Sequence, residues 1–238
     1  YLCRKMSELK PNSYAHRITK EALQGMPLVQ FGGEVIVVDE PAKIADSIEY
    51  LQRQTVLGVD TEARPSFTRG VYYPTALVQI ATEERCYLFR LTHVGMPQEL
   101  AAIFSNPDIR KVGLAFKDDL TGLRRRRNFV PVNCIDVQSM MWKYGILELG
   151  LQKAFGIIYG QRISKSQQLT NWENSHLTQD QARYASTDAW ATLLIYKDLM
   201  QTKPLKKAEA EAIRRADLEA QQQHQQEVLA QRQKLAQQ

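Results

Sequence analysis

No stretch of this 238-residue chain holds the eighteen or so consecutive apolar residues that a membrane-spanning helix requires, and the first twenty residues are polar, not signal-like. A cytoplasmic protein with no membrane partner is the expectation. Cysteine is scarce: Cys3, Cys86 and Cys134 are widely spaced and form no C-x-x-C pair, which argues against a disulfide framework or a structural zinc site and fits a reducing compartment. The four histidines, His16, His93, His176 and His224, show no metal-ligand spacing and no H-E-x-x-H, so hydrolytic zinc chemistry lacks its ligands. The patterns G-x-S-x-G, G-x-x-x-x-G-K and G-x-G-x-x-G are also missing, and with them the case for a serine hydrolase, a nucleoside triphosphatase or a dinucleotide-binding enzyme.

What is present suits one substantial domain with extensions: 44% hydrophobic and 24% charged residues, and a formal net charge of +5 that would help hold a polyanion. Short apolar runs rich in β-branched and aromatic residues, at Val35–Val38, Val56–Val59, Ala76–Ile80, Cys86–Phe89, Val112–Phe116 and Val132–Val137, read as strands. Helical stretches are expected over 41–53, 97–105, 118–127, 137–144, 149–156 and 178–200, the last opened by the capping box Thr178-Gln-Asp-Gln181. Three strands follow one another from residue 56 without an intervening helix and should be antiparallel. The two later strands are separated by helices and suit parallel pairing, so the sum is a mixed α/β sheet flanked by helices. Residues 1–33 read as an extension packed on the sheet domain, 34–203 as that domain, and 204–238 as a Gln/Ala-rich tail, either an exposed helix or unstructured. A weak apolar spacing in the tail, Leu205, Ala212, Ile213, Ala216 and Ala220, allows self-association by helix pairing.

Three acidic features carry chemistry. In Val56-Leu-Gly-Val-Asp60-Thr-Glu62 the carboxylates stand two residues apart at the end of a strand and share a face, where their repulsion calls for a cation of the hard, oxygen-seeking kind. Tyr184 and Asp188 lie one turn apart in the last predicted helix, near its apolar stripe Ala185, Ala189, Leu193 and Tyr196. Asp118 and Asp119 stand in the first turn of another helix, and the apolar Leu120 and Leu123 orient Asp119 toward the core edge. Taken singly each has a plainer reading: a solvated turn, a capping pair, a partner for the helix dipole.

Together, and in this order, the three resemble the motifs of the DEDD exonuclease superfamily, tyrosine subclass, over about residues 34–200, with the Werner-syndrome-protein exonuclease domain, ribonuclease D and stand-alone bacterial relatives as the nearest likenesses. Ala76-Leu-Val-Gln-Ile80, Thr170-Asn-Trp172 and Leu177-Thr-Gln-Asp-Gln181 add to the match. The resemblance implies a ribonuclease H-like fold and two-metal-ion hydrolysis of phosphodiester bonds from the 3′ end. Asp60, Glu62, Asp119 and Asp188 would hold two Mg2+ or Mn2+ ions, and Tyr184 would orient the attacking water. It also selects Asp119 over Asp118. One departure is Ala115, where proofreading members carry Asn and Werner-like members a small residue.

Nucleic acid is the implied partner, with Arg64, Lys165 and Trp172 as candidate contacts, Phe67, Tyr72 and Tyr73 as further stacking candidates, and Arg124–Arg127, Arg162 and His176 as further phosphate candidates. DNA is favoured over RNA because ribonuclease D relatives continue into helical domains where this chain has about 35 low-complexity residues. A ribonuclease D-like exoribonuclease and a non-catalytic binding module are the alternatives.

Overall fold

The computed structural model of the protein describes residues 9–236; Cys3 lies outside them. Six strands, β1 (Glu34–Val38), β2 (Val56–Ala63), β3 (Thr75–Ala81), β4 (Arg85–Arg90), β5 (Arg110–Gly113) and β6 (Cys134–Asp136), form one sheet in the order β1-β4-β3-β2-β5-β6. β2, β3 and β4 are joined without an intervening helix and pair antiparallel, whereas β5 and β6 follow helices and pair parallel, as the order of elements predicts. β1 closes the far edge, parallel to β4.

The helices are α1 (Lys20–Gln24), α2 (Ile44–Gln52), α3 (Leu91–Val94), α4 (Gln98–Ser105), α5 (Lys117–Arg126), α6 (Gln138–Met141), α7 (Leu151–Tyr159), α8 (Gln179–Gln201) and α9 (Lys207–Ala236). Several boundaries shift: β2 runs on from Val59 to Ala63, and the helix expected over 137–144 is α-helical only at Gln138–Met141, with a 3-10 turn at Trp142–Tyr144. The strand expected to run to Phe116 stops at Gly113, because Ala115 turns into the left-handed region (φ 53°) and Phe116 folds back so tightly that a Cβ on Gly113 would stand 2.4 Å from its ring. α7 continues past residue 156 to Tyr159, where Gly160 supplies a left-handed cap. The tail is a continuous helix, α9, with an almost wholly exposed surface. The short helices α1 and α3 carry too few periodic positions to be read from pattern.

α2, α4 and α5 cover one face of the sheet over an apolar core that includes Leu57, Val59, Val78, Ile80, Phe89, Leu100 and Phe104. α6, α7 and α8 cover the other face, over Val112, Phe155, Leu193 and Tyr196, with Leu77, Leu88, Tyr184, Ala185 and Ala189 at its β3–β4 side. α8 lies unusually close to β2: a Cβ on Gly58 would meet the Ala189 carbonyl at 2.2 Å, so the absence of a side chain there sets the separation. The N-terminal segment straps this second face. Lys10 donates its N–H to the Gln201 carbonyl, Val29 to that of Arg162, and Phe31 to the Thr187 hydroxyl. Arg17 pairs with Asp217 of α9 at 2.7 Å.

No described helix is long and apolar enough to cross a membrane.

Candidate metal centre

Strand alternation puts Gly58, Asp60 and Glu62 on the face of β2 that looks at α8. α8 starts where its capping box closes: the Thr178 hydroxyl accepts from the Gln181 N–H and the Gln181 amide oxygen accepts from the Thr178 N–H, both at 3.1 Å. The same Gln181 side chain donates to Thr170 Oγ1 at 3.0 Å and to the Asn171 carbonyl at 3.2 Å, fixing the preceding loop. The close approach permitted by Gly58 then brings Asp188 down onto the end of β2. One carboxylate oxygen each from Asp60, Glu62 and Asp188 lie within 4.8 Å of one another.

Asp119 reaches the site from α5. The Thr61 hydroxyl donates to its carboxylate, and its charge bears on both Asp60 and Glu62. Asp118 is exposed. Thr61 is a residue that sequence reasoning passed over, although a hydroxyl between two acids was a readable signal.

The electrostatics are those of a site short of positive charge. Burial pushes every member of the acidic set above the ordinary carboxylate range, and mutual repulsion adds to this in Asp60 and Glu62: Asp60 rises well above it, Glu62 to about 9 and Asp188 to about 7. Asp119 rises to about 6, restrained by the Thr61 hydrogen bond. The opposing influences on Asp188 are its hydrogen bond with Tyr184 and the charge of Lys165. Burial, then the negative charges of Asp188 and Glu62, holds the Tyr184 phenol far above its ordinary value, so it is neutral and a donor at any physiological pH. Among the described residues, no lysine or arginine forms an ion pair with any of the four acids. Converging hard oxygen donors in need of a counter-charge fit a divalent cation such as Mg2+ or Mn2+ and do not fit a soft metal.

Asp60, Glu62 and Asp188 border a cleft of about 310 Å³ shared by Thr61, Tyr184, Ser164, Lys165, Gln168 and Gln152, and Asp119 stands behind it, reaching it through Thr61. Of the expected nucleic-acid contacts, Lys165 is at this cleft. Arg64 does not line it: its guanidinium lies 4.7 Å from the centre of the Tyr73 ring and 3.7 Å from Glu173. Trp172 is a correction: it is 0% exposed, stacked under Tyr184 with ring centroids 6.0 Å apart, and touches no open surface. The apolar area that the indole buries against Tyr184 and its neighbours outweighs exposure here, although its Nε1–H has no hydrogen-bond partner. In the arginine run, Arg126 and Arg127 are spent on the Thr75 and Met96 carbonyls, at 2.9 and 2.6 Å, leaving Arg124 and Arg125 facing out.

A mixed sheet of this order with a four-carboxylate centre defines a ribonuclease H-like protein of the DEDD exonuclease type, a class that works with divalent metals. The family model for 3′-5′ exonuclease matches residues 35–203, and the chain belongs to that family. It is 28% identical over 196 residues to the Mus musculus bifunctional 3′-5′ exonuclease/ATP-dependent helicase WRN, a match covering 76% of this chain and 14% of that protein. A 3′-5′ exonuclease of Drosophila willistoni is 27% identical, with 79% of this chain and 58% of the relative covered. Thus the chain spans well under two thirds of either relative. Among solved structures, Escherichia coli RNase D, an exoribonuclease, superposes with a TM-score of 0.64 at 25% identity, over 75% of this chain and 46% of that one. The Aedes aegypti Nibbler EXO domain shares the fold, with a TM-score of 0.62 at 21% identity over 84% of this chain and 99% of that one.

Proposed function

We propose that this protein removes nucleotides from the 3′ end of a nucleic acid by two-metal-ion hydrolysis, with Asp60, Glu62, Asp119 and Asp188 as ligands of Mg2+ or Mn2+. The observation that carries the reading is the convergence of Asp60, Glu62 and Asp188 within 4.8 Å, with Asp119 tied to the same strand through Thr61. When bound, such ions polarise the scissile phosphate and offset charge on the attacking and leaving oxygens. The protein's own part is positioning. Tyr184, a neutral phenol, orients the attacking water by a hydrogen bond and is too weak a base to take its proton. Lys165 offers a cation to the phosphate at the cleft mouth, and Arg64 and the protruding rings of Phe67 and Tyr72, both 84% exposed, receive the strand as it leaves. Residues 34–203 form the exonuclease unit, flanked by 1–33 and 204–238.

DNA is the proposed polymer, supported by the similarity to the mouse exonuclease/helicase and by the small residue Ala115. RNA is the second reading, favoured by the likeness to an exoribonuclease. Incubating 5′-labelled single strands and recessed duplexes of each polymer with Mg2+ or Mn2+ should yield a ladder shortening from the 3′ end, absent with Asp60→Ala, and the better polymer names the substrate. No ladder with any substrate or metal would overturn the catalytic reading in favour of a binding module.

A further inference from the structure

One polar side chain has no visible reason to be where it is. β3 is buried along its whole length, from Thr75 to Ala81, and every residue between them is apolar except Gln79. Gln79 is 0% exposed, and neither its amide nitrogen nor its amide oxygen has a hydrogen-bond partner. An amide buried in that state costs about 1–3 kcal/mol relative to one that is bonded, and an apolar side chain of the same length would avoid the cost. The strand register says what lies next to it. Gln79 is the cross-strand partner of Asp60, and directly opposed residues of an antiparallel pair project from the same face with Cβ atoms about 5 Å apart. Its neighbours on that face, Leu77 and Ala81, pack against the α8 side chains Ala185 and Ala189, so Gln79 lies beneath α8, between the site and the core. On its other flank stands Leu88, which offers no polar group. Asp60 is therefore the cross-strand neighbour that carries a polar side chain, a carboxylate able to accept from the amide.

We infer that Gln79 is a positioning residue of the metal centre: its amide N–H donates to the Asp60 carboxylate oxygen turned away from the cleft when the site is loaded, and so holds the other oxygen toward the cation. The inference rests on the metal-dependent reading above. Outer partners of this kind orient a ligand that has free rotation about its Cα–Cβ bond, and removing them typically weakens metal binding or activity 10- to 100-fold. Ordinary packing residues have a different signature, because their loss shows in stability.

The test compares wild type with Gln79→Met, which keeps length and removes the amide, and with Gln79→Leu as a second apolar variant in case one packs badly. Mn2+ binding to the metal-free full chain is followed by the loss of the free-ion electron paramagnetic resonance signal, melting temperature is read in chelator, and kcat and KM are read on a labelled strand. Expected are a Mn2+ affinity and a kcat lowered about 10- to 100-fold, a KM for nucleic acid within about twofold of wild type, and a melting temperature equal or higher. Wild-type Mn2+ affinity in variants that melt normally would overturn the inference, as would a large fall in melting temperature with unchanged affinity, which would make Gln79 a core element. If wild type itself bound no Mn2+ and cut nothing, the metal-dependent reading would fail instead.

Discussion

The two faces of β2 differ by one residue of register and by everything else. Leu57, Val59 and Thr61 look toward α2, α4 and α5, where the first two are fully buried in an apolar core. Gly58, Asp60 and Glu62 look toward α8, where the strand has no side chain at one position and acids at the other two. The first face stabilises; the second accepts desolvated charge and a missing Cβ in exchange for a site. The comparison teaches that in this fold chemistry is placed by alternation along a strand whose neighbours are held by packing on the far side.

The largest separation of the faces should come from Asp188→Asn beside Leu57→Ala. The first should lower cleavage by about three orders of magnitude, the rate equivalent of roughly 4 kcal/mol of lost charge stabilisation, while the metal-free protein melts no lower. The second should cost about 2–5 kcal/mol in denaturant titration and leave turnover per folded molecule unchanged. Asp188→Asn with full activity would remove the site from this cleft.

Gly58→Ala acts on both faces at once. Its Cβ would fall 2.2 Å from the Ala189 carbonyl, so α8 must move, costing about 1–3 kcal/mol and carrying Asp188 away from Asp60. Melting and cleavage should fall together; an intact ladder would mean that the cluster tolerates the displacement.

The acids predict an unusual pH dependence. Their folded values lie above the ordinary carboxylate range, so the folded protein holds protons that the unfolded chain has released. Stability of the metal-free protein must then fall as pH rises through about 6 for Asp119, about 7 for Asp188 and about 9 for Glu62. Melting curves in chelator between about pH 5 and about pH 9 should show this decline, and saturating Mn2+ should flatten it by replacing protons with a cation. A metal-free protein that gained stability over that range would contradict the electrostatic account.

Smaller effects follow at the edges. Tyr184→Phe keeps the ring on Trp172 and removes the hydroxyl proposed to orient the attacking water, so kcat should drop about 10- to 100-fold with melting unchanged. Ala115→Gly relieves a left-handed backbone (φ 53°) and should add about 0.5–1 kcal/mol without altering cleavage, provided the N–H bond to Asp136 persists at its 3.0 Å.

The acids were legible because their signals are local: two-residue spacing on a strand, four-residue spacing on a helix, and a capping box that announces where that helix begins. Trp172 was misassigned and Thr61 and Gln79 were passed over for the opposite reason. Whether an indole stacks on a base or against Tyr184, and what a threonine or a glutamine faces, depends on how separate elements come together: the loop before α8 under that helix, β3 onto β2, and α5 onto β2 with Thr61 and Asp119 58 residues apart. Ala115 shows both sides, since the departure from Asn was readable and the left-handed φ that gives it meaning was not.

By itself the sequence determined the six strands and the longer helices of the sheet domain, the antiparallel and parallel pairings of β2 to β6, and the identity of the acids, because alternation, helical period and capping are properties of neighbouring residues. The tertiary structure alone decided that Asp60, Glu62 and Asp188 share one 4.8 Å cluster, that Trp172 supports Tyr184 from below, and that Gln79 stands beside Asp60. Those outcomes follow from how closely α8 settles on β2, a distance set by close packing and a single absent Cβ at Gly58.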